Sequence, residues 1–392
     1  MGARTFIAGV GMTQFVKPGT SPDYDEMGAT AIDLALADCG LSYTDVQEAY
    51  AGYVYGDSTS GQRAVYRAGL TGIPIINVNN NCSTGSTALY LARKAVASGA
   101  VDCALAVGFE QMRRGALGDV YEDRPSPMQQ FLDAMDAIEG SSEAPMALRL
   151  FGGAGAEWQR RYGVLDETFA KISVKARAHA EHNDKALFRT QVSIEEVLES
   201  PKMHGPLTRL QCCPPTCGGG AAIVVSEAFM KKHGLTRCVE LKAQAMTTDD
   251  PATFDSGSPA QIVGYGMSAK AAADVYETAG VGPEDVDVVE LHDCFTANEL
   301  ISYEALGLAP EGGAEKFIAD GDNTYGGRVV TNPSGGLLSK GHPLGATGLA
   351  QCTELVMQLR GEAGVRQVGG AKTALQHNVG LGGACVVGLY QI

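Results

Sequence analysis

The chain has a single tryptophan, Trp158, in 392 residues, and no unbroken apolar run of the roughly 18 residues that a membrane-spanning helix needs. It is short of positive charge: 30 Lys and Arg stand against 45 Asp and Glu, a net charge of −15. That balance argues against a nucleic-acid binder and against broad docking on an anionic membrane, while leaving room for one local basic pocket that takes an anionic ligand. No secretory signal opens the chain. Gly2 stands where a myristoylated glycine would, but Phe6 occupies the position that needs Ser or Thr, and Arg4 to Val10 reads as a first buried strand. The chain ends Tyr-Gln-Ile rather than in a peroxisomal tripeptide, so a cytoplasmic location is expected. Its ten cysteines contain no Cys-x-x-Cys pair. The cluster Cys212, Cys213 and Cys217, with His204 upstream, lacks the second short pair of a zinc site; we read it as reduced thiols in a core or pocket wall, and expect no metal.

An apolar content of 45 % and 50 glycines fit a globular α/β protein with many tight turns, and the length fits two or three domains. Two segments repeat. ATAIDLALADCGLSYTDVQEAYAGYV starts at Ala29 and AKAAADVYETAGVGPEDVDVVELHDCF at Ala269, with Gly40 matching Gly280 and Asp45-Val46 matching Asp285-Val286 at an offset of 240 residues. Each reads as an amphipathic helix, a glycine stop, a capped turn and a β-branched strand. Such a duplication forms a cleft between its halves. Residues 113–205, richer in charge and methionine, read as an inserted, largely helical lobe that shapes a substrate site. The expected organisation is a first half over 1–112, completed by about 206–235, the lobe over 113–205, and a second half over 236–392.

Four places carry chemistry. In NNNCSTGSTAL, Cys82 stands where the apolar strand IPIINV gives way to a helix. Free N–H groups at a helix N-terminus favour a thiolate, so the Cys82 thiol is expected to have a lowered pKa and to suit a nucleophile. In KGHPLGATG, Pro343 holds His342 on a rigid loop, where an imidazole can exchange protons with a nearby thiol. In VVELHDCFTANEL a strand ends in His292-Asp293-Cys294. On an extended chain His292 and Cys294 face one side, and Asp293 faces away or supports a neighbouring loop. In HNVGLGGACVVGLY a glycine turn before the final strand could present N–H groups to an oxyanion.

Taken together, these motifs in this order resemble the thiolase family from about Arg4 to Leu389. GDSTSGQRAVY, ELHDCFTANEL and NPSGGLLSKGHPLGATGLAQC look like the sterol-carrier type, in which a thiolase is fused to a lipid carrier. The resemblance implies a duplicated α/β fold of two mixed five-stranded sheets with helices in layers (αβαβα). It implies a 3-oxoacyl-CoA thiolase in which Cys82 is the acyl-carrying nucleophile. His342 activates it and, with His292, forms an oxyanion hole for the thioester enolate. Cys294 is the acid/base, and the backbone N–H groups of Cys82 and Gly382 form a second hole. Coenzyme A is a substrate and no other cofactor is implied; the protein is expected to be a homodimer or tetramer.

The sequence departs from the family pattern in three ways. HDCF replaces the usual Asn-Glu-Ala-Phe. Gly380, in Gly380-Leu381-Gly382, stands where most thiolases carry their acid/base cysteine, a part that passes to Cys294. Cys217-Gly218-Gly219-Gly220 replaces an Asp-Gly-Ala-Ala, which alters the wall of the CoA tunnel. With the chain ending at Ile392, the lipid-carrier domain of that type is expected to be missing and lipid transfer to need a separate carrier protein. Two other readings remain: a thiolase-like retro-aldolase for sterol side chains, working with a partner and expected to have lost Cys82, and a non-catalytic acyl-CoA or lipid binder. A biosynthetic condensing enzyme on this fold would commonly carry Cys-His-His or Cys-His-Asn instead.

Overall fold

A computed structural model describes residues 3–115 and 117–392. Its strands are β1 (Thr5–Met12), β2 (Glu48–Gly52), β3 (Ile75–Val78), β4 (Cys103–Glu110), β5 (Lys202–His204), β6 (Leu207–Thr208), β7 (Gly218–Ser226), β8 (Val239–Thr247), β9 (Val288–Glu290), β10 (Val330–Thr331), β11 (Thr373–Gly380) and β12 (Ala384–Gln391). Strands β5 and β6 form a small hairpin, and the other ten run in the order β3-β2-β4-β7-β1-β8-β12-β11-β9-β10.

The order is a palindrome about its centre. β2 runs parallel to β3 and β4, and β7 is antiparallel to β4 and β1. Likewise β9 runs parallel to β10 and β11, and β12 is antiparallel to β11 and β8. The two five-stranded sheets expected from the sequence are therefore halves of one ten-stranded ladder. Two residue pairs between β1 and β8, Phe6 with Glu240 and Ile7 with Val239, join them.

The repeat explains the symmetry. Helix Tyr24–Cys39 ends at Gly40 with φ 70°, and helix Tyr265–Ala279 ends at Gly280 with φ 72°. Both glycines take the left-handed conformation that closes a helix and that side chains resist. In each copy an aspartate three residues into the next turn caps the chain: Asp45 accepts the Ser42 N–H and Asp285 the Gly282 N–H, both at 2.9 Å.

Both halves of the sheet turn one face to the same pair of buried helices, Thr84–Ala97 and Thr347–Arg360, through residues such as Leu89, Val96, Leu349 and Leu355. Tyr24–Cys39 covers the other face of the first half. Tyr265–Ala279 and Thr296–Ala305 belong to the core on the outer side of the second half, together with the helices Met146–Tyr162 and Asp166–Ala180 of the insertion. The layers read helix, sheet, helix, sheet, helix. No described helix is long and apolar enough to cross a membrane.

The two central helices meet at their N-termini because glycine lets them. A Cβ on Gly348 would lie 2.1 Å from the Ser86 Oγ, and one on Gly85 would lie 2.6 Å from the Gly345 carbonyl. No side chain fits at those separations. This close crossing brings the loop before the first helix, which carries Cys82, to the loop before the second, which carries His342.

Candidate active site

The loop from β3 to the nucleophile helix is built by its asparagines. Asn80 N–H donates to Thr84 Oγ1 at 2.9 Å and its side chain to Thr87 Oγ1 at 3.2 Å, tying the loop to the first turn. Asn81 has φ 49°, a left-handed conformation that asparagine tolerates better than most residues, and its amide holds the Leu381 carbonyl at 3.1 Å. That sharp turn aims Cys82 inward.

The sulfur of Cys82 and a ring nitrogen from each of His292 and His342 all lie within 4.8 Å of one another. The two imidazoles stand nearly perpendicular, with centroids 5.1 Å apart. Cys82, Cys294, His342 and Gly382 all line one cavity of about 850 Å³. Its walls are mostly apolar, with Met128, Leu148 and Phe151 contributed by the insertion. A further thiol, Cys213, lines the same cavity, and its N–H donates to the Cys294 carbonyl at 2.9 Å. Cys217 is elsewhere, its sulfur on the Met112 carbonyl. Cys385 sits in the core of β12 beside Ser268.

Each histidine has its proton placed by its partner. The Thr347 hydroxyl donates to the Pro343 carbonyl at 3.0 Å, so its oxygen accepts from His342 Nδ1–H at 2.7 Å. His342 Nε2 is thereby bare, and this buried nitrogen has no hydrogen-bond partner. It is placed to take a proton from sulfur. His292 Nδ1 instead meets the Asn378 side-chain amide at 2.9 Å, which leaves Nε2 for the site. Asp293 points away, as its alternation predicts, and its carboxylate accepts from Leu337 N–H at 2.7 Å and Leu338 N–H at 3.3 Å, fixing the loop before His342.

Burial keeps the resting site neutral. It pushes the Cys82 thiol up to about 12, against a smaller lowering by backbone N–H groups of Leu381 and Cys82 itself. This overturns the expected lowering: desolvation of a fully enclosed thiolate outweighs the help of a helix N-terminus. Burial lowers His342 to about 3, lowers His292 well below the usual value, and raises Cys294 well above it. The site thus holds thiols and neutral imidazoles, and a Cys82 thiolate forms there only as its proton moves.

Several groups escaped the sequence reading. Asn378 and His377 lie in the stretch read as a glycine turn, and His377 Nδ1 accepts the His292 N–H at 3.4 Å. The amide that reaches the Cys82 sulfur is that of Leu381, one residue before Gly382. Glu110 ends the apolar run CALAVGFE; buried, it accepts N–H groups from Val54, Tyr55 and Gly345 and so clamps the His342 loop to the first half of the sheet. A lone acid closing an apolar strand was the available signal. At Gly380, a Cβ would lie 2.2 Å from the Asn80 carbonyl, so no side chain fits against the Cys82 loop there.

Comparison with known proteins agrees with the geometry. The description "Thiolase, N-terminal domain" matches residues 5–201, and "Thiolase C-terminal domain-like" matches 258–387. The chain is 56 % identical to sterol carrier protein 2 of Rattus norvegicus over 393 aligned residues, covering 99 % of this chain and 72 % of that one. Among solved structures, the Ltp2-ChsH2(DUF35) aldolase superposes with a TM-score of 0.82 at 24 % identity, over 98 % of this chain and 97 % of that chain. Human mitochondrial 3-ketoacyl-CoA thiolase does so with 0.74 at 19 % identity, over 99 % of this chain and 98 % of that chain. At such identities the two structures speak for the fold alone. Fold and similarity together make this chain an acyltransferase. It belongs to the thiolase family.

Proposed function

We propose that the protein is a 3-oxoacyl-CoA thiolase, cleaving its substrate with coenzyme A through an acyl-Cys82 intermediate. The observation that carries this reading is the cluster of Cys82, His292 and His342 within 4.8 Å, at the wall of an apolar cavity that Cys82, His342 and Cys294 line. His342 Nε2 takes the Cys82 proton as the sulfur bonds to the 3-keto carbon. The Cα–Cβ bond breaks, and its electron pair leaves on the thioester as an enolate of acetyl-CoA, or of propionyl-CoA from a 2-methyl substrate. N–H groups on His342 and His292 stabilise the enolate oxygen, each donor contributing roughly 3–4 kcal/mol to the transition state. The Cys294 thiol protonates the enolate carbon. Its thiolate then takes the proton of incoming CoA, whose sulfur displaces Cys82; the departing sulfur recovers its proton from His342. Backbone N–H groups of Cys82 and the 381–382 turn receive the oxyanion of each acyl transfer. The protein acts as a dimer or tetramer.

A retro-aldolase reading draws on the likeness to the Ltp2-ChsH2(DUF35) aldolase. The bare His342 Nε2 facing a cysteine favours the thiolase. Mass spectrometry after adding a 3-oxoacyl-CoA without CoA decides between them. The thiolase accumulates an acyl group on Cys82 and releases acetyl- or propionyl-CoA, and Cys82→Ala abolishes both. Carbon–carbon cleavage that persists in Cys82→Ala would overturn the reading in favour of the aldolase.

A further inference from the structure

The chemistry proposed for His292 needs its proton on Nε2, and a row of buried groups behind it runs in one direction only. The row begins at a group that cannot reverse. The Gly348 carbonyl only accepts, and Gln376 Nε2 lies 2.6 Å from it, so that end of the amide is the NH₂. The Tyr390 hydroxyl donates to Gln376 Oε1, which agrees. Gln376 Nε2 lies 2.9 Å from Ser86 Oγ, nearer than the 3.3 Å to Gln351 Oε1, so its second proton goes to the serine. Among the described contacts the acceptor for the Ser86 proton is Asn378 Oδ1 at 2.8 Å, so the hydroxyl donates there. The Asn378 amide is thus oriented with its NH₂ toward His292 Nδ1, 2.9 Å away. An NH₂ donates, so Nδ1 must be the lone-pair nitrogen and the imidazole proton sits on Nε2.

We propose that Asn378 is a positioning residue that, held by Gln376 and Ser86, locks His292 as a hydrogen-bond donor toward the reacting thioester. All four side chains are buried, so water offers no alternative partner that could turn the row around. The row also crosses the molecule: Ser86 lies in the first turn of the nucleophile helix and Gln376 and Asn378 alternate along β11. The element that aims Cys82 therefore also sets the proton of His292. The lock has a second effect. Cys82, His292 and His342 form a set of soft ligands within 4.8 Å, and a nitrogen that carries a proton cannot bind a metal ion. The functional half of this inference rests on the thiolase reading; the tautomer does not.

The test has two parts. In protein labelled with ¹⁵N-histidine, His292 should show a pyrrole-type Nε2 and a pyridine-type Nδ1, unchanged between pH 5 and pH 8. A proton on Nδ1 of the unmodified protein overturns the proposal, whether or not the protein cleaves 3-oxoacyl-CoA. The second part is a double-mutant cycle read in kcat. Asn378→Leu keeps the volume and removes the donor; kcat should fall about 10- to 100-fold with KM within a few-fold. On a His292→Ala background the same change should do almost nothing, since Asn378 acts only through that ring. Losses that multiply would assign Asn378 a merely structural part and overturn the proposal. If Asn378→Leu does not fold, Ser86→Ala takes its place: it frees the Asn378 amide to turn, and a His292 ¹⁵N pattern unaltered by it would overturn the proposal as well. Cleavage absent from the unmodified protein, with Nε2 protonated, would strike the thiolase reading and leave the lock.

Discussion

The two copies of the repeat part company where their strands end. In the first, β2 stays in the sheet as far as Gly52, with Ala51 and Gly52 paired to β3 on one side and β4 on the other. In the second, the residues at the same offset are Leu291 and His292, and the ladder has stopped at Glu290. Their N–H groups go instead to side chains: Leu291 to Asn332 Oδ1 at 2.8 Å and His292 to His377 Nδ1 at 3.4 Å. Replacing neighbouring backbone with side-chain acceptors satisfies the same donors while letting the chain leave the pleat. Val54 and Cys294, at the same offset, both line the cavity, but the residues before them differ: Gly52 is a contact surface for Thr84, whereas His292 brings an imidazole to Cys82 and His342. Duplication supplied the helix–turn–strand frame twice, and the copy whose strand is cut short is the one that brings a histidine to Cys82.

The largest effect should come from setting these ends against each other. His292→Ala removes a proposed enolate donor and should lower kcat about 10²- to 10³-fold in a thiolysis assay while the urea midpoint moves little. Gly52→Ala puts a Cβ 2.7 Å from Thr84 Cγ2 and should act the other way, as overpacking that costs about 1–3 kcal/mol of stability by urea unfolding. If Gly52→Ala leaves stability unchanged, the two strand ends do not differ in the way described.

A smaller effect concerns acid. Burial lowers His342 and His377 to about 3 and His179 to about 4. Unfolded histidines titrate near 6.5, so the unfolded chain binds more protons below that value, and the stability these residues confer is full above pH 6.5 and drains as pH falls toward 3–4. Glu110 runs in the opposite sense: raised to about 7 by burial, it contributes fully below about pH 4.5 and loses that contribution as pH rises to 7. The two trends oppose each other between about pH 4.5 and 6.5, and below that range the histidines act alone. Hydrogen exchange at pH 4 should therefore open β11, which carries His377, before β4, which carries Glu110. Equal protection of the two strands, or loss of β4 first, would count against this division of the molecule.

The smallest effect tests what the copies share. Gly40 and Gly280 have open space where a Cβ would go, so only the left-handed backbone opposes a side chain. Gly40→Ala and Gly280→Ala should each cost about 1 kcal/mol by urea unfolding, and the double variant the sum, because the sites are distant. Unequal costs would mean that the turns are alike in sequence only.

Much of this was legible in the residues. Periodicity, the glycine stops and the Asp-Val register gave both copies of the helix–turn–strand, and Cys82, His292, Cys294 and His342, from three separate motifs, lie close together in the structure. What escaped depends on partners far apart in the chain. Nothing near Asn378 announces Ser86, 292 residues earlier, although alternation along β11 already put Gln376 and Asn378 on one face. The joining of two sheets into one ladder turns on two residue pairs between β1 and β8, below the resolution of any pattern. The Cys82 thiol was misjudged for a related reason: the helix start is local and visible, while the enclosure that outweighs it is made by the 381–382 turn, the insertion and the 212–215 loop together.

That enclosed thiol carries a chemical consequence. A sulfur held as its neutral acid until a matched carbonyl arrives is a poor target for stray electrophiles, since alkylating agents and peroxides react with the thiolate. Such reagents should attack Cys82 slowly in the idle protein, whereas an electrophile shaped like the acyl-CoA, bound beside His342, should be captured fast. On the proposed function, the depth of the site would serve as a filter that spares Cys82 between turnovers.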